Sequence, residues 1–359
     1  MTKRIGILTA GGDCPGLNAV IRAIAKKAIY CHNWEVFGFH DGLLGLIENR
    51  YTQLSEKSAS GIITRGGTIL GTSNKGDPFS YYKPGALEPV DVSEQTIKNV
   101  RDLGIDTLIT IGGDGTQGIA YKLFKKGLPV IGIPKTIDND LYGTDQTFGF
   151  DTAVSIATEA IDRIHTTAQA HHRIMLVEVM GRYAGWIALS SGLAGGGDII
   201  LLPEFPYNLE KIIEKIIERK NTGKMFTIVV VSEGAHEEGK GYFVRKIVKD
   251  SMEPIRLGGV SYLLAQQLED ATDSEARATV LGHVQRGGTP TAYDRILATE
   301  FGTGAVDLAQ KEQFGTMVSL SNNRIVSIPL EEVASKLRLV TTDNPLIKAA
   351  LDTGVSFGI

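Results

Sequence analysis

Cysteine is scarce in this chain, and long apolar runs are missing. Its 359 residues include two cysteines, Cys14 and Cys31, whose spacing matches no metal-binding motif and offers no disulfide framework. We therefore expect two reduced thiols, as in proteins of the cytosol. No apolar run approaches the ~20 residues of a membrane span, and residues 1–4 lead into a predicted strand without the core of a signal peptide. These absences predict a cytoplasmic protein with no membrane partner.

An excess of charge of one sign is also missing. The chain has 37 Lys and Arg against 41 Asp and Glu, which gives a net charge of −4. Without a positive field we expect no nucleic-acid partner, and a site for anionic substrates needs a local cluster of Arg and Lys. Apolar residues at 42% and charged residues at 22% are typical of a soluble globular protein. The length suits about two to three domains.

Glycine, in contrast, is abundant, with 42 residues, many of them in doublets directly after apolar runs. The apolar run 107–111 precedes the loop 112–116, and the run 130–133 precedes the loop 134–140. Loops that follow parallel strands lie at the carboxyl edge of the sheet, where α/β proteins bind ligands. Glycine turns in this position are typical of phosphate-binding loops.

Strands and helices alternate along the chain. Residues 5–9 predict a buried strand, a helix is predicted from about Asn18 as its N-cap, and a second strand is predicted over 34–40. This order forms a parallel βαβ unit, and the pattern recurs as far as a strand predicted over 278–283. We predict the α/β class, with two doubly wound, Rossmann-like lobes of mainly parallel sheet and the active site in the cleft between them.

The first loop, Gly-Gly-Asp-Gly-Thr at 112–116, combines a phosphate cradle with a carboxylate. Its glycines let a polyphosphate approach the main chain, Asp114 can hold Mg²⁺ directly or through water, and Thr116 adds a hydroxyl near a helix start. The alternative is an aspartate N-cap in an ordinary glycine turn.

The second loop places two carboxylates, Asp138 and Asp140, two residues apart, so that in an extended segment they share a side. One could accept the proton of an attacking alcohol while the other binds a metal or orients the first. The alternative is an Asx-rich turn, although the preceding Lys135 places a phosphate-binding charge beside a possible base. Together the two loops predict magnesium-assisted transfer of a phosphoryl group to a hydroxyl.

Other turns add glycine and positive charge. Gly11-Gly12-Asp13 follows the first strand without the G-x-G-x-x-G fingerprint, which argues against a standard NAD site. Arg182 follows a strand and could clamp a phosphate. His283 and Arg286 stand beside a glycine turn that suits a sugar-phosphate pocket.

Six motifs in order make the chain resemble the phosphofructokinase family, from Arg4 to about Asp307. They are TAGGDCPGLNAVIR, RGGTILGT, IGGDGT, PKTIDND, EVMGRYAGW and ATVLGHVQRGGTP followed by YDR. The resemblance implies Mg²⁺-dependent phosphorylation of fructose 6-phosphate at its 1-hydroxyl, with fructose 1,6-bisphosphate as the product. In such a transfer, positioning and charge neutralisation matter more than a strong base.

The resemblance also implies roles for individual residues. Asp138 would be the general base, and Asp114 would bind Mg²⁺. The donor nucleotide would contact Gly12, Asn74, Lys75, Gly113, Asp114, Gly115 and Thr116. The sugar phosphate would contact Thr136, Ile137, Asp138, Asp140, Met180, Gly181, Arg182, Glu233, His283 and Arg286.

The order of strands and helices also predicts the bounds of the lobes, and the resemblance implies how subunits contact each other. Residues 1–140 would form a nucleotide-binding lobe rejoined by part of the C-terminal region, 141–307 a sugar-phosphate lobe, and 308–359 a segment that packs back on both. Arg173 and Arg277 match two arginines that reach a neighbouring subunit's site in the family. We therefore expect a homo-oligomer, usually a tetramer.

The phosphoryl donor is the main alternative left open. Pyrophosphate-dependent members of the family typically carry Asp at the position of Gly115 and Lys at that of Lys135, whereas common ATP-using bacterial members carry Gly at both. This chain is mixed. A second carboxylate beside Asp114 would crowd and repel the α-phosphate, so Gly115 favours ATP, and Lys135 tolerates either donor.

Three further points bear on the function. Where common bacterial members carry an arginine, this chain has Asn74 without charge, followed by Lys75 that could supply it. A non-catalytic nucleotide-binding subunit is the remote alternative, and it would have no reason to keep Asp114, Asp138 and the sugar site together. A kinase that acts on NAD shares a similar glycine loop but would not be expected to carry Arg182, His283 and Arg286.

Overall fold

The computed structural model describes residues 2–247 and 255–359. The strands are β1 (Arg4–Thr9), β2 (Glu35–Phe39), β3 (Tyr51–Leu54), β4 (Thr107–Gly112), β5 (Val130–Pro134), β6 (Ile174–Val179), β7 (Ile199–Leu201), β8 (Thr227–Ser232), β9 (Val244–Ile247), β10 (Ile255–Leu257), β11 (Ala276–Val280), β12 (Thr316–Ser321) and β13 (Arg324–Pro329). The helices are α1 (Leu17–His32), α2 (Leu43–Glu48), α3 (Ser93–Asp102), α4 (Asp114–Lys125), α5 (Phe150–His171), α6 (Trp186–Ala194), α7 (Leu209–Asn221), α8 (Val260–Thr272), α9 (Ala292–Gln310), α10 (Leu330–Val333) and α11 (Pro345–Asp352).

Two sheets carry the fold. The first has seven strands in the order β13-β12-β5-β4-β1-β2-β3, parallel from β12 to β2, with antiparallel strands at both edges. The second has four parallel strands in the order β11-β6-β8-β7. Strands β9 and β10 form a separate antiparallel pair. Strands β12 and β13, from the C-terminal part of the chain, complete the sheet that begins with β1. The lobe boundaries expected at residues 140 and 307 stay a prediction.

Helices cover both faces of the first sheet because successive residues of a buried strand point to opposite sides. On β1, Ile7 joins the core shared with α1 and α9, whereas Leu8 joins a second core that includes Ile97 of α3 and Ile119 of α4. The first core continues to Val177 of β6 and Val230 of β8, so it lies between the two sheets. The predicted α/β class with two doubly wound lobes is confirmed.

Two local predictions were wrong. Asn18 is not an N-cap: α1 begins after Gly16, which has a φ of 107°, and the buried Asn18 amide instead donates to the carbonyl oxygens of Arg65 and Gly66 and accepts from the Ile69 amide. The strand predicted over 278–283 ends at Val280, because Gly282 adopts a φ of 50° and begins a 3₁₀ helix (Gly282–Arg286). His283 therefore lies on a helical turn.

None of the helices in the described part of the chain combines the length and the apolar character that a membrane crossing requires.

Helices α1 and α9 cross at a glycine. A Cβ placed on Gly302 would lie 2.8 Å from Ala23 Cβ and 2.9 Å from the Val20 carbonyl oxygen. Because backbone cannot yield as a side chain does, we expect Gly302→Ala to lower the free energy of unfolding by about 1–3 kcal/mol. Urea denaturation followed by circular dichroism measures this.

Gly118 offers the matched control, since it also lies inside a helix, α4, but has nothing within 4 Å of its added Cβ. At this position the change in stability depends on helix propensity alone, so Gly118→Ala should raise the free energy of unfolding by up to about 1 kcal/mol. Equal effects of the two substitutions would contradict the close crossing.

A candidate active site between the two sheets

A cleft of about 210 Å³ opens where the carboxyl ends of strands from both sheets approach each other. The first sheet contributes the loops after β1, β4 and β5, and the second sheet contributes those after β6 and β8, as expected for parallel strands. The lining residues are Gly11, Gly12, Asn74, Gly113, Asp114, Gly115, Thr116, Lys135, Thr136, Asp138, Asp140, Met180, Arg182, Tyr183, Glu233 and Arg286. Most of the predicted site residues are therefore brought together here.

The loop after β4 leads directly into a helix that points at the cleft. Gly113 precedes α4 with extended backbone and no side-chain cap, and Asp114 is the first helical residue, so Asp114 does not act as an N-cap. A Cβ on Gly112 would lie 2.3 Å from Thr116 Oγ1, which explains why only glycine fits there. The amide groups of the first turn and the positive end of the helix dipole suit a phosphate.

The loop after β5 carries the two aspartates on one side. Asp138 and Asp140 line the cleft. Ile137, which lies between Thr136 and Asp138 in the sequence, is fully buried in the apolar core. The Asp138 amide donates to Thr136 Oγ1 at 3.1 Å, and Asn139 has a φ of 52°, a left-handed conformation that asparagine tolerates. The side chain of Ile137 thus packs below the site rather than facing it.

The carboxylates in the cleft repel one another. Burial, followed by the charges of Asp138 and Asp114, raises the pKa of Asp140 to about 8. The pKa of Glu233 on the opposite wall is raised to about 7, first by burial and then by Asp138, while Arg182 and Arg286 act in the other direction. The aspartates of the first sheet and the ionisable groups of the second sheet therefore share one electrostatic environment.

Two cationic side chains donate hydrogen bonds to a loop other than their own. Arg286 Nη1 donates to the Asp13 carbonyl oxygen at 3.0 Å, and a Cβ on Gly12 would lie 2.5 Å from this nitrogen. The largely buried Lys135 donates to the Gly12 carbonyl oxygen. Both positive charges are thus held beside the glycine turn that follows β1, where an anionic group would enter.

On the second sheet, the turn after β6 is fixed by the end of β8. Gly181 has a φ of 134°, and its carbonyl oxygen accepts from Ser232 Oγ at 2.6 Å. A Cβ added to Gly181 would lie 2.5 Å from Ser232 Oγ. The Met180 amide donates to Gln285 Oε1 at 3.3 Å. This arrangement holds Arg182 at the cleft, facing the aspartates of the first sheet.

Beside the cleft lies a second pocket of about 620 Å³, which sequence analysis did not find. The two share Asn74, and the second is lined by Lys75, Leu44 and the aromatic residues Tyr81 and Tyr82 among others. Tyr183 in the cleft was also missed, although it directly follows Arg182 in the motif EVMGRYAGW. The residues 76–86 carry no motif, and only folding brings them next to Asn74.

Three predicted residues lie away from the cleft. His283 is exposed on the 3₁₀ helix and is not among the lining residues. Arg173 and Arg277 lie at the amino ends of β6 and β11 and both pair with Glu275. Because β6 has six residues, its two ends are about 20 Å apart. Within one subunit, these arginines therefore do not reach the cleft.

Comparison with known proteins gives a consistent family. The family model described as phosphofructokinase matches residues 4–309. A relative from Clostridium perfringens (strain 13 / Type A), named ATP-dependent 6-phosphofructokinase 2, is 52% identical over 359 residues, covering 99% of this chain and 98% of its own. A relative from Amycolatopsis methanolica, named pyrophosphate--fructose 6-phosphate 1-phosphotransferase, is 50% identical, covering 94% of this chain and 96% of its own.

A solved structure agrees with these relatives. The phosphofructokinase from Saccharomyces cerevisiae matches with a TM-score of 0.76 and 30% identity over 92% of this chain, which spans 45% of the yeast chain. On the family model and on relatives of about half identity across its length, the chain belongs to the phosphofructokinase family.

Proposed function

We propose that this protein transfers the γ-phosphoryl group of ATP to the 1-hydroxyl of fructose 6-phosphate, giving fructose 1,6-bisphosphate and ADP in glycolysis. The observation that carries the proposal is the cleft in which Asp114, Asp138 and Asp140 face Arg182 and Arg286. Positive groups from both sheets can hold two anionic substrates there, and the aspartates lie where the substrates meet. A cytoplasmic location accompanies this proposal.

In this proposal Asp138 is the general base. As the acceptor oxygen bonds to the γ-phosphorus, the bond from phosphorus to the bridging oxygen of ADP breaks, and the hydroxyl proton passes to the Asp138 carboxylate. Arg182 and Glu233 at the second-sheet side of the cleft and Arg286, whose guanidinium lies beside the turn after β1, hold the sugar phosphate, with Thr136 and Asp140 beside the base. Bidentate contacts from an arginine suit this anchoring.

The acidic residues also suit a magnesium ion. Burial first, and then the charges of Asp138 and Asp114, raises the pKa of Asp140, and a cation beside these carboxylates would offset the charge part of that rise. Among the described residues, no three His, Cys, Asp or Glu side chains could enclose a metal by themselves. Asp114 would hold Mg²⁺ together with phosphate oxygens and water, as is usual for this ion. When bound, Mg²⁺ would neutralise charge on the donor phosphates.

Two features favour ATP over pyrophosphate. Gly115 leaves open space beside Asp114, since an added Cβ would have nothing within 4 Å. The pocket lined by Tyr81 and Tyr82 adjoins the cleft at Asn74. Its volume of about 620 Å³ suits a nucleoside with an aromatic base. A pyrophosphate-dependent reaction is the second candidate, favoured by Lys135 at the phosphate loop and by the name of the Amycolatopsis relative.

We also infer that the active protein is a homo-oligomer, and the family resemblance favours a tetramer. Arg173 and Arg277, held by Glu275 at the end of β6 remote from the cleft, would complete the sugar-phosphate site of a neighbouring subunit. Residues 1–140 with the strands that rejoin them would be the nucleotide lobe, and residues 141–307 the sugar-phosphate lobe, with 308–359 packing back on both.

A coupled assay with fructose 6-phosphate, Mg²⁺ and either ATP or pyrophosphate tests the proposal. We expect turnover with ATP at least tenfold faster than with pyrophosphate, a difference of about 1.4 kcal/mol in activation free energy. Turnover with pyrophosphate alone would establish the second candidate, and no turnover with either donor would refute sugar-phosphate phosphorylation.

Asp138→Ser should lower kcat by about 10²–10⁴-fold, because it removes the proton acceptor. The KM for fructose 6-phosphate should change little, since Arg182 and Arg286 remain. Steady-state kinetics with both substrates varied measures the two parameters. Asp102→Ser, at an exposed position on α3, is the control and should behave as wild type. Wild-type turnover in Asp138→Ser would remove Asp138 from the mechanism.

Gly115→Asp should lower kcat/KM for ATP by about tenfold or more, because a second carboxylate beside Asp114 repels the donor phosphates. Gly115→Ala separates charge from size, since the open space accepts a methyl group, and it should stay close to wild type. Kinetics with ATP and with pyrophosphate compare the two variants. Equal losses in both variants would show that charge at this position does not select the donor.

Glu233 should make stability depend on pH. Its pKa is raised from 4.5 to about 7 in the folded protein, so the folded state retains the proton that the unfolded state loses. The free energy of unfolding should therefore fall by about 1–3 kcal/mol from this group as pH rises from about 4.5 through 7. Glu233→Gln should remove that part of the decrease, as measured by urea denaturation between pH 5 and 8.

The exposed Glu214→Gln is the control for this comparison and should follow the wild-type curve. If the free energy of unfolding of wild type and of Glu233→Gln changed with pH in parallel, the result would contradict a buried carboxyl group with a raised pKa at this wall of the cleft.

A further inference from the structure

The aspartate loop after β5 is held from behind by a segment near the C-terminus. Leu337 pairs with Leu141 in an antiparallel bridge, and the Arg338 amide donates to the Asp140 carbonyl oxygen at 2.7 Å. This segment lies beyond residues 4–309, to which the family model is matched. The backbone that carries Asp138 and Asp140 is therefore supported by chain from outside the matched region.

Arg338 adds a side-chain contact to the same loop. Its Nη1 donates to the Asn139 carbonyl oxygen at 3.2 Å, directly between the two aspartates. Asn139 is the residue with a φ of 52°, and its Oδ1 accepts from the Thr147 amide at 3.0 Å. The turn that separates Asp138 from Asp140 is thus fixed from two sides, by Thr147 within the loop and by Arg338 from behind.

Arg338 also contacts the second lobe. Its guanidinium lies over the buried ring of Trp186 at 4.1 Å from the centroid, and Trp186 Nε1 donates to the Arg338 carbonyl oxygen at 2.8 Å. Trp186 begins α6, only four residues after Arg182. Stacking of this kind holds a guanidinium in one plane and orientation.

Glu204 fastens the same junction. Its Oε1 accepts from the Gly185 amide at 3.0 Å and from the Val340 amide at 2.9 Å. The residue before α6 and the C-terminal segment are therefore also tied to each other two residues beyond Arg338. The arginine sits where the turn that carries Arg182 and the turn that carries Asp138 are joined.

We propose that Arg338 is a positioning residue for the transfer reaction: by bridging the Asn139 carbonyl and the Trp186 ring, it sets the distance between the Asp138 loop and the Arg182 turn. This inference rests on the proposed function, in which Asp138 is the base and Arg182 holds the acceptor. A displacement of about 1 Å between reacting groups is enough to lower a rate about 10²-fold.

Arg338→Ala should therefore lower kcat by about 10²-fold while the KM values for fructose 6-phosphate and ATP change little. Arg338→Lys keeps the charge but loses the planar stack, so its kcat should lie between those of wild type and Arg338→Ala. Hydrogen exchange measured by mass spectrometry should show faster exchange in residues 136–147 of Arg338→Ala.

Arg4 provides a matched control, because it makes the same kinds of contact far from the cleft. Its guanidinium lies 5.8 Å from the Phe37 ring centroid, and Nη1 donates to the Leu103 carbonyl oxygen at 3.0 Å. Arg4→Ala should leave kcat and the exchange of residues 136–147 as in wild type, whatever its effect on stability.

The outcomes separate this inference from the proposed function. Inactive wild-type protein would refute the proposed function, while exchange in residues 136–147 would still test whether Arg338 fixes the loop. With active wild type, unchanged kcat in Arg338→Ala, or an equal loss in Arg4→Ala, would overturn the positioning role. If Arg338→Ala does not fold, Arg338→Lys carries the test, and wild-type kcat and exchange in that variant would overturn the role.

Discussion

Three neighbouring aspartates in the cleft, partly removed from water and close enough to repel one another, set the condition that the other charged groups of the site must meet. Asp114, Asp138 and Asp140 are brought together by the ends of two adjacent strands, β4 and β5, and burial, followed by the charges of Asp138 and Asp114, raises the pKa of Asp140 to about 8. Such a site is stable when surrounding cations balance it. Arg182 and Arg286 already act against the raised pKa of Glu233 on the opposite wall, and a metal bound with a polyphosphate would add positive charge beside the aspartates.

Much of this arrangement could be predicted from the sequence because it follows from strand order. Loops after parallel strands must meet at one edge, so the glycine loop at 112–116 and the aspartate loop at 136–140 had to be neighbours. The α/β class followed from alternating apolar runs in the same way. The sequence also predicted that Asp138 and Asp140 share a side, but the reason given, an extended segment, does not hold, because Asn139 between them has a left-handed φ of 52°.

What could not be predicted depends on contacts between distant parts of the chain. Asn18 suited an N-cap locally, but its amide is used to fix residues 65–69. The strand expected through His283 ends early because β11 is an edge strand and Gly282 turns the chain. The pocket lined by Tyr81 and Tyr82, and the support that Arg338 gives to Asn139, join segments that no local pattern connects.

In the proposed reaction, one cleft places an acceptor hydroxyl against Asp138 and a metal-bound donor against Asp114. A crystal structure of the protein with Mg²⁺, ADP and fructose 1,6-bisphosphate tests this most directly. We expect the sugar oxygen bearing the 1-phosphate to lie within about 3.2 Å of the Asp138 carboxylate, with Mg²⁺ at Asp114. Sugar bisphosphate bound away from the Asp138 loop, or ADP bound away from Asp114, would contradict it.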